Sequence, residues 1–482
     1  MRKTVAFNLA LFASCMIYVL CAASVAGCAE REVMGMGTSL HYAHPEYNVG
    51  DVHPYYDDNS RTWHMIYLRP ENYASRLLTS NDMLQWKEAD IKYSGRTPVS
   101  YFILGILKDG AGAYRSYYGT SSHFGCSEST DLIKWNNASG MFNIPFDIFK
   151  YFSGARDPYA FFDPDEDVWR CVSTAYRSRS ADWKVMDVSI ALASTSGNDL
   201  TSWGKNWDDL IRFPDITDRS GEPECPQMIK IGSRWYLLAS QYDGVNDRVG
   251  GGPNYWFSSE NKGIGETDWQ NVEKYTLDGK DLCAGQLVQK DDRYYLFGWI
   301  PYWKGGWGGQ ITLPREVYQL SDGRLAVRLD PDAGNAIRGK KLASVSGRDL
   351  GTGGELALKG TYDRLDFEGT LTLNQAEASV ILGDIDIRVN SITNTLAVMK
   401  ASDGTLFSSI NLLSGELDKT ISIRIIVEDD IIEVFIDDHY ALAARVDEAL
   451  NAVSARIVVR HGDATVDTAA VYHLKYLEEI AE

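Results

Sequence analysis

Three scarcities bound what this chain can be. Of seven cysteines in 482 residues, none stands in a Cys-x-x-Cys or Cys/His arrangement with zinc spacing, so no metal or cofactor is expected. Positive charge is short as well. Lys and Arg number 47 against 66 Asp and Glu, for a net charge of −19. That argues against nucleic acid or an anionic membrane surface as a partner. It suits a neutral or cationic ligand, and it serves simple solubility equally well. Tryptophan is plentiful, with 13 residues, yet absent after Trp307, so the chain changes character about two thirds of the way along. A length of 482 residues exceeds one ordinary core and points to two domains.

Long apolar runs are confined to the beginning. Arg2 and Lys3 precede a mostly apolar stretch from Val5 to Val25, followed by Ala26-Gly27-Cys28. Small residues before a cysteine resemble a bacterial lipobox, so residues 1–27 are expected to be a lipoprotein-type signal peptide and Cys28 the lipidated first residue. Ordinary cleavage nearby and an uncleaved anchor remain open, because the run approaches spanning length. All three export the protein. The expected location is the bacterial cell surface or periplasm, touching the membrane only through a lipid anchor. Cys126, Cys171, Cys225 and Cys283 follow. Four allow two disulfides in an exported protein, but each lies in or beside an apolar strand pattern, where free buried thiols fit as well.

From Asp51 onward a unit recurs: a small or acidic residue, a short apolar strand, a polar turn, and an aromatic-rich strand. The unit starts are Asp51, Gly105, Asp157, Glu224 and Gly285, spaced by 52 to 67 residues. A second signature, Ser/Thr and Asp followed by Trp, ends a further strand at Thr79–Trp86 and Ser127–Trp135, again from Ser194 to Trp203, and loosely from Ser258 to Trp269. Five copies of a multi-strand unit predict an all-β fold, a five-bladed β-propeller over residues 35–330. After a connector at 330–341, alternating strands such as Ile385–Val389 and Ile421–Val427 predict a β-sandwich over 342–482. The sandwich carries no obvious polar constellation and reads as a supporting domain.

In a propeller the innermost strands line one channel, so their starts converge at one mouth. Asp51, Asp157 and Glu224 are acidic, and the fold would bring them together. Taken alone, each could be a solvated strand end. Together they can perform glycoside cleavage, which needs one ionised and one protonated carboxyl across a sugar ring. Arg156 beside Asp157 can hold that carboxylate ionised and bond sugar hydroxyls. Tyr55, Trp63, Trp303 and Trp307 near strand ends are candidates for a stacking wall, although packing is the ordinary role of such rings. Glu222 is ambiguous, since strand alternation can point it the same way as Glu224.

Arg156-Asp157-Pro158 and Glu224-Cys225-Pro226 resemble two motifs of glycoside hydrolase family 32, the invertase, inulinase and levanase group. Trp307-Gly308-Gly309 with Leu313-Pro314-Arg315-Glu316 resembles the segment that closes that family's propeller, and Ile425–Asp438 its late C-terminal motif. The resemblance implies a propeller plus sandwich and retaining hydrolysis of β-fructofuranosides such as sucrose, inulin or levan, so an oligo- or polysaccharide is the expected partner. It implies Asp51 as nucleophile, Glu224 as acid/base and Asp157 as transition-state stabiliser, with nucleophile and acid roughly 5–5.5 Å apart. The chain departs from the family at Asn48–Pro54, where only Asp51 matches the usual first motif, and at Pro223, where Trp is common. Two other readings stay open: an inverting arabinofuranosidase or xylosidase of a related five-bladed family, and a surface sugar-binding lipoprotein without catalysis.

Overall fold

Each repeat folds because a tight polar turn returns an apolar strand onto an aromatic-rich one. In the first, Asp57 accepts from the backbone N–H and hydroxyl of Ser60 at 2.9 and 2.7 Å, and Arg61 takes a positive φ to complete the reversal. In the fourth and fifth, Gly232 and Asp291 supply the left-handed residue of a short turn. The Ser–Asp–Trp signature is a turn device too. Asp131 Oδ1 accepts from the N–H groups of Ile133 and Lys134 at 3.0 and 2.7 Å, and Trp135 anchors the turn from inside, donating Nε1–H to the Leu132 carbonyl at 2.9 Å.

The computed structural model describes residues 39–480, apart from 95–103, 120–122, 138–143, 146–153, 183, 201–202, 205–207, 243–250, 303–305 and 414. The expected leader, Cys28 and Trp303 lie outside the described residues. Within them the repeats form five sheets of four, six, four, four and five strands, the blades of a propeller. The innermost strands are Gly50–Asp57, Leu104–Lys108, Gly154–Asp163, Pro223–Ile231 and Cys283–Lys290. The ring is clasped where Val49 and Gly309 exchange backbone hydrogen bonds of 2.9 and 2.8 Å, joining the front of blade 1 to blade 5.

All five innermost strands slip register at the same station. The break follows Gly50, Leu104, Arg156, Glu224 and Cys283. The next residue is Asp51, Gly105, Asp157, Cys225 or Ala284, and the last four of these have φ between 48° and 66°. A bulge bends the strand and re-aims the side chains around it. Asp51 and Asp157 therefore occupy equivalent stations, whereas Glu224 stands one residue earlier, at the station of Arg156. The unit starts do converge at one mouth, but not as three copies of one position.

A two-turn helix, Pro331–Ile337, is capped by Asp330, whose Oδ1 accepts from Ala333 N–H at 2.8 Å. A ten-stranded antiparallel sheet follows from Arg338 and curls on itself into the sandwich. The strand Ile431–Ile436 is buried on both faces. Ile432, Val434 and Ile436 belong to the sandwich core, whereas Ile431 and Phe435 share a core with Leu313, Val317 and Leu329 of blade 5. Glu433, between them, is fully buried. It accepts from Leu313 N–H at 2.9 Å, from Arg315 at 3.0 and 2.6 Å, and meets His41 Nε2 at 3.0 Å. Glu428 meets His41 Nδ1 at 2.6 Å and Arg364 at 2.6 Å. The sandwich thus does carry a polar constellation, contrary to expectation. It lies in the seam against the propeller. The motif segments Leu313–Glu316 and Ile425–Asp438 meet there through Arg315 and Glu433.

Cys126, Cys171, Cys225 and Cys283, all in the propeller, are buried free thiols.

Candidate active site

At the channel mouth one guanidinium ties blade 3 to blade 4. Arg156 donates from Nη1 to Asp157, and from Nη2 to Glu222 at 2.7 Å and Glu224 at 3.1 Å. Its Nε donates to the Tyr176 hydroxyl at 2.6 Å, which in turn donates to Glu222 at 2.6 Å. Asp157 is buried and also accepts from Cys225 N–H at 3.0 Å. That bond requires the left-handed bend at Cys225, so the bulge of blade 4 helps to hold a carboxylate of blade 3. Glu224 keeps 28 % of its side chain exposed and faces the mouth.

Asp51 faces the same space from blade 1. Trp299 donates Nε1–H to its Oδ1 at 3.2 Å. Trp299 packs with Cys225, Cys283 and Ala284 to floor the site. Trp307 leans on Trp299, with ring centroids 6.1 Å apart, and stacks on Tyr73 at 5.7 Å. Its ring lies over the backbone beside Asp51, so close that a Cβ on Gly50 would sit 2.3 Å from it. Glycine at position 50 is what lets this ring reach the site.

The charges are arranged to keep a proton in the cluster. Burial, then the nearby charges of Asp157 and Glu224, push the Asp51 carboxyl up to about 7, against the pull of Trp299 and Arg156. Burial also raises Glu224, with Arg156 and Arg219 drawing it back. Glu222 goes the other way. Burial pushes it up, but Arg156, Tyr176 and Arg219 together hold it below the usual carboxylate range. Two neighbouring carboxyls with raised affinity for a proton, set beside a bound guanidinium, suit paired acid and nucleophile chemistry.

The sequence-based candidates separate cleanly. Asp51, Asp157, Glu224 and Arg156 meet at the mouth, and Trp307 borders it. Trp63 does not. It is 1 % exposed and packs among Tyr56, Tyr295 and Phe297, so it has no face to offer a ligand. Tyr55 is four residues beyond Asp51, roughly 13 Å along the strand. It lines a separate cavity of about 390 Å³ with Tyr159, Phe161 and Leu287, built from the far halves of the innermost strands. Glu222 is no proton donor, being fully buried and engaged by three donors. Trp299, Tyr176 and Arg219 join the site although sequence reasoning gave them no role. Trp299 hides in the aromatic run Tyr294–Trp299, and the other two reach the site only through folding.

No family model matches the chain. Among solved structures it is similar to fructan 1-exohydrolase IIa of Cichorium intybus, at 15% identity and a TM-score of 0.71, covering 92% of this chain and 98% of that one. It is similar to the exo-inulinase of Aspergillus awamori, at 16% identity and a TM-score of 0.70, over 91% and 98%. It is likewise similar to a GH32 β-fructofuranosidase of Bombyx mori, at 17% identity and a TM-score of 0.62, over 91% and 93%. The similarity runs through both the propeller and the sandwich. At these identities it establishes the fold: a five-bladed β-propeller followed by a β-sandwich, as in glycoside hydrolase family 32 structures.

Proposed function

We propose that this chain hydrolyses β-fructofuranosidic bonds of the sucrose, inulin or levan type, with retention of configuration. The observation that carries the reading is Arg156 bonded at once to Asp157 and Glu224, at a mouth that Asp51 enters from blade 1. The shared fold with fructan-cleaving enzymes supports it, and the chicory enzyme has been solved with 1-kestose bound.

In this reading Asp51 attacks the anomeric carbon while Glu224 gives its proton to the leaving oxygen, forming a fructosyl ester on Asp51. Glu224 then takes a proton from water, which attacks the same carbon and releases fructose. Asp157, fixed by Arg156 and Cys225 N–H, accepts from sugar hydroxyls as charge develops on the ring. Trp307 and Trp299 give the sugar an apolar wall. Residues 1–27 serve as an export leader and Cys28 bears the lipid; palmitate labelling that persists in Cys28→Ser would overturn that assignment.

Purified protein is expected to release fructose from sucrose, 1-kestose, inulin or levan, with the β-anomer formed first by proton NMR. The α-anomer first would favour an inverting mechanism. Full activity in Asp51→Ala would sink the nucleophile assignment.

A further inference from the structure

A second guanidinium reaches Glu224 from the turn that precedes it. Asp218 and Arg219 both adopt positive φ, 49° and 63°, an uncommon conformation for such residues. The strained turn folds Arg219 back over the strand start. Its Nε donates to Glu222 Oε2 at 2.5 Å, and its Nη2 to Glu224 Oε1 at 3.0 Å. The guanidinium carbon lies 4.6 Å from the centre of the Tyr242 ring, within cation–π range. Arg219 remains 38 % exposed, at the rim.

Both arginines address one oxygen. Arg156 Nη2 and Arg219 Nη2 donate to Glu224 Oε1 at 3.1 and 3.0 Å, and among the described residues Oε2 is bonded to none. Glu222 ties the pair together. Its Oε1 accepts from Arg156 and Tyr176, and its Oε2 from Arg219. A buried carboxylate with both oxygens accepting hydrogen bonds is a rigid post.

We propose, on the glycosidase reading above, that Arg219 and Glu222 are positioning residues for the proton donor. They clamp Glu224 Oε1 so that the transferable proton is carried on Oε2, towards the leaving group. Arg219 tunes as well as holds. The groups facing Glu224 are Arg156 and Asp157 from the innermost strand of blade 3, Tyr176 from its second strand, Arg219 and Glu222 from its own approach, Asp51 from blade 1, and Cys283 from blade 5. Arg219 favours the ionised form of Glu224 and Glu222 disfavours it.

The test compares Arg219→Gln and Glu222→Gln with the parent protein. On sucrose, whose leaving group needs a proton, kcat/KM is expected to fall roughly 10- to 100-fold in each. On an aryl β-fructofuranoside with an acidic phenol the fall is expected to be about threefold or less, because that leaving group departs without a proton. The alkaline limb of the pH profile moves up in Arg219→Gln and down in Glu222→Gln, by roughly one pH unit each. Equal losses on both substrates with unmoved limbs would overturn the clamp and leave a merely structural role. A carbon-13 titration of labelled glutamate carboxyls, assigned with Glu224→Gln, reads the same equilibrium without turnover. If the parent cleaves no fructoside, opposite displacements in that titration still support the clamp while the glycosidase reading fails. An unmoved titration overturns the clamp itself.

Discussion

Arg315 of blade 5 donates from Nε and Nη2 to one oxygen of Glu433 in the sandwich, at 3.0 and 2.6 Å, and both side chains are fully shielded from water. Its Nη1 turns to Asp278 on blade 4, whose other oxygen accepts from Ala443 N–H at 2.8 Å. Two blades and the sandwich are thereby joined through one guanidinium. Removing one member leaves a buried charge without its partner. Arg315→Met is expected to destabilise the protein by about 3–5 kcal/mol in denaturant unfolding. The double variant Arg315→Met/Glu433→Gln should lose clearly less than the sum of the two single changes.

His41 makes the same seam sensitive to alkali. Burial works against its charge, but Glu428 and Glu433 on its two ring nitrogens raise it from 6.5 to about 9. A group raised on folding stabilises the folded state while it is protonated in both states. Its contribution is therefore complete below about pH 6.5 and lost as pH climbs through 9. Tm is expected to decline across that window, and His41→Gln should flatten the slope. Glu428 and Glu433, each lowered to about 2, set the opposite limb. Their contribution is present above about pH 4.5 and lost as pH falls towards 2.

Trp299 stabilises the charged form of Asp51 through one hydrogen bond. Trp299→Phe keeps most of the ring and deletes the donor. Asp51 then rises above about 7, and the acidic limb of kcat/KM, which requires ionised Asp51, should move to higher pH. A limb that stays in place would show that the bond does not tune the nucleophile.

Gly50→Ala places a methyl group 2.3 Å from the Trp307 ring. The ring must leave its seat on Trp299, at an expected cost of about 1–3 kcal/mol from overpacking. Intrinsic fluorescence should report the displaced indole. Trp307→Leu in the same chain should recover part of the loss, because both contacts under 3 Å are with that ring and the Leu68 carbonyl oxygen stands at 3.2 Å.

Cys126, Cys171, Cys225 and Cys283 are buried, and burial raises each thiol above its ordinary range. The thiolate is the reactive form. Mass spectrometry after iodoacetamide should find all four unmodified in the native protein and all four alkylated in denaturant.

The blades were legible because their information is local: strand alternation, turn residues, and the Ser–Asp–Trp device. Asp51, Asp157 and Glu224 were legible because the repeat carried them to one place. Tyr55 and Trp63 were misread for a geometric reason. An eight-residue strand has two ends some 23 Å apart, and sequence does not say which end faces a ligand. Arg219 and Tyr176 were illegible because nothing in the sequence around Glu222 says which donors fold onto it. Glu433 was missed because its strand is apolar on both faces, and Glu428 because it ends an alternating strand like any solvated acid; only the fold reveals that they meet the propeller.

The repeated bulge separates what is built from what is written on it. Gly105 and Ala284 hold the same left-handed station as Asp157 and Cys225, yet carry no functional group. The shared bend does not give them a shared outlook: Cys225 and Ala284 turn into the buried floor beneath Trp299, and a Cβ at position 105 would meet the Tyr159 ring at 2.8 Å. The bulge is thus a common joint rather than a common site, and the chemistry of this scaffold is set by what each blade's neighbours leave room for at that joint.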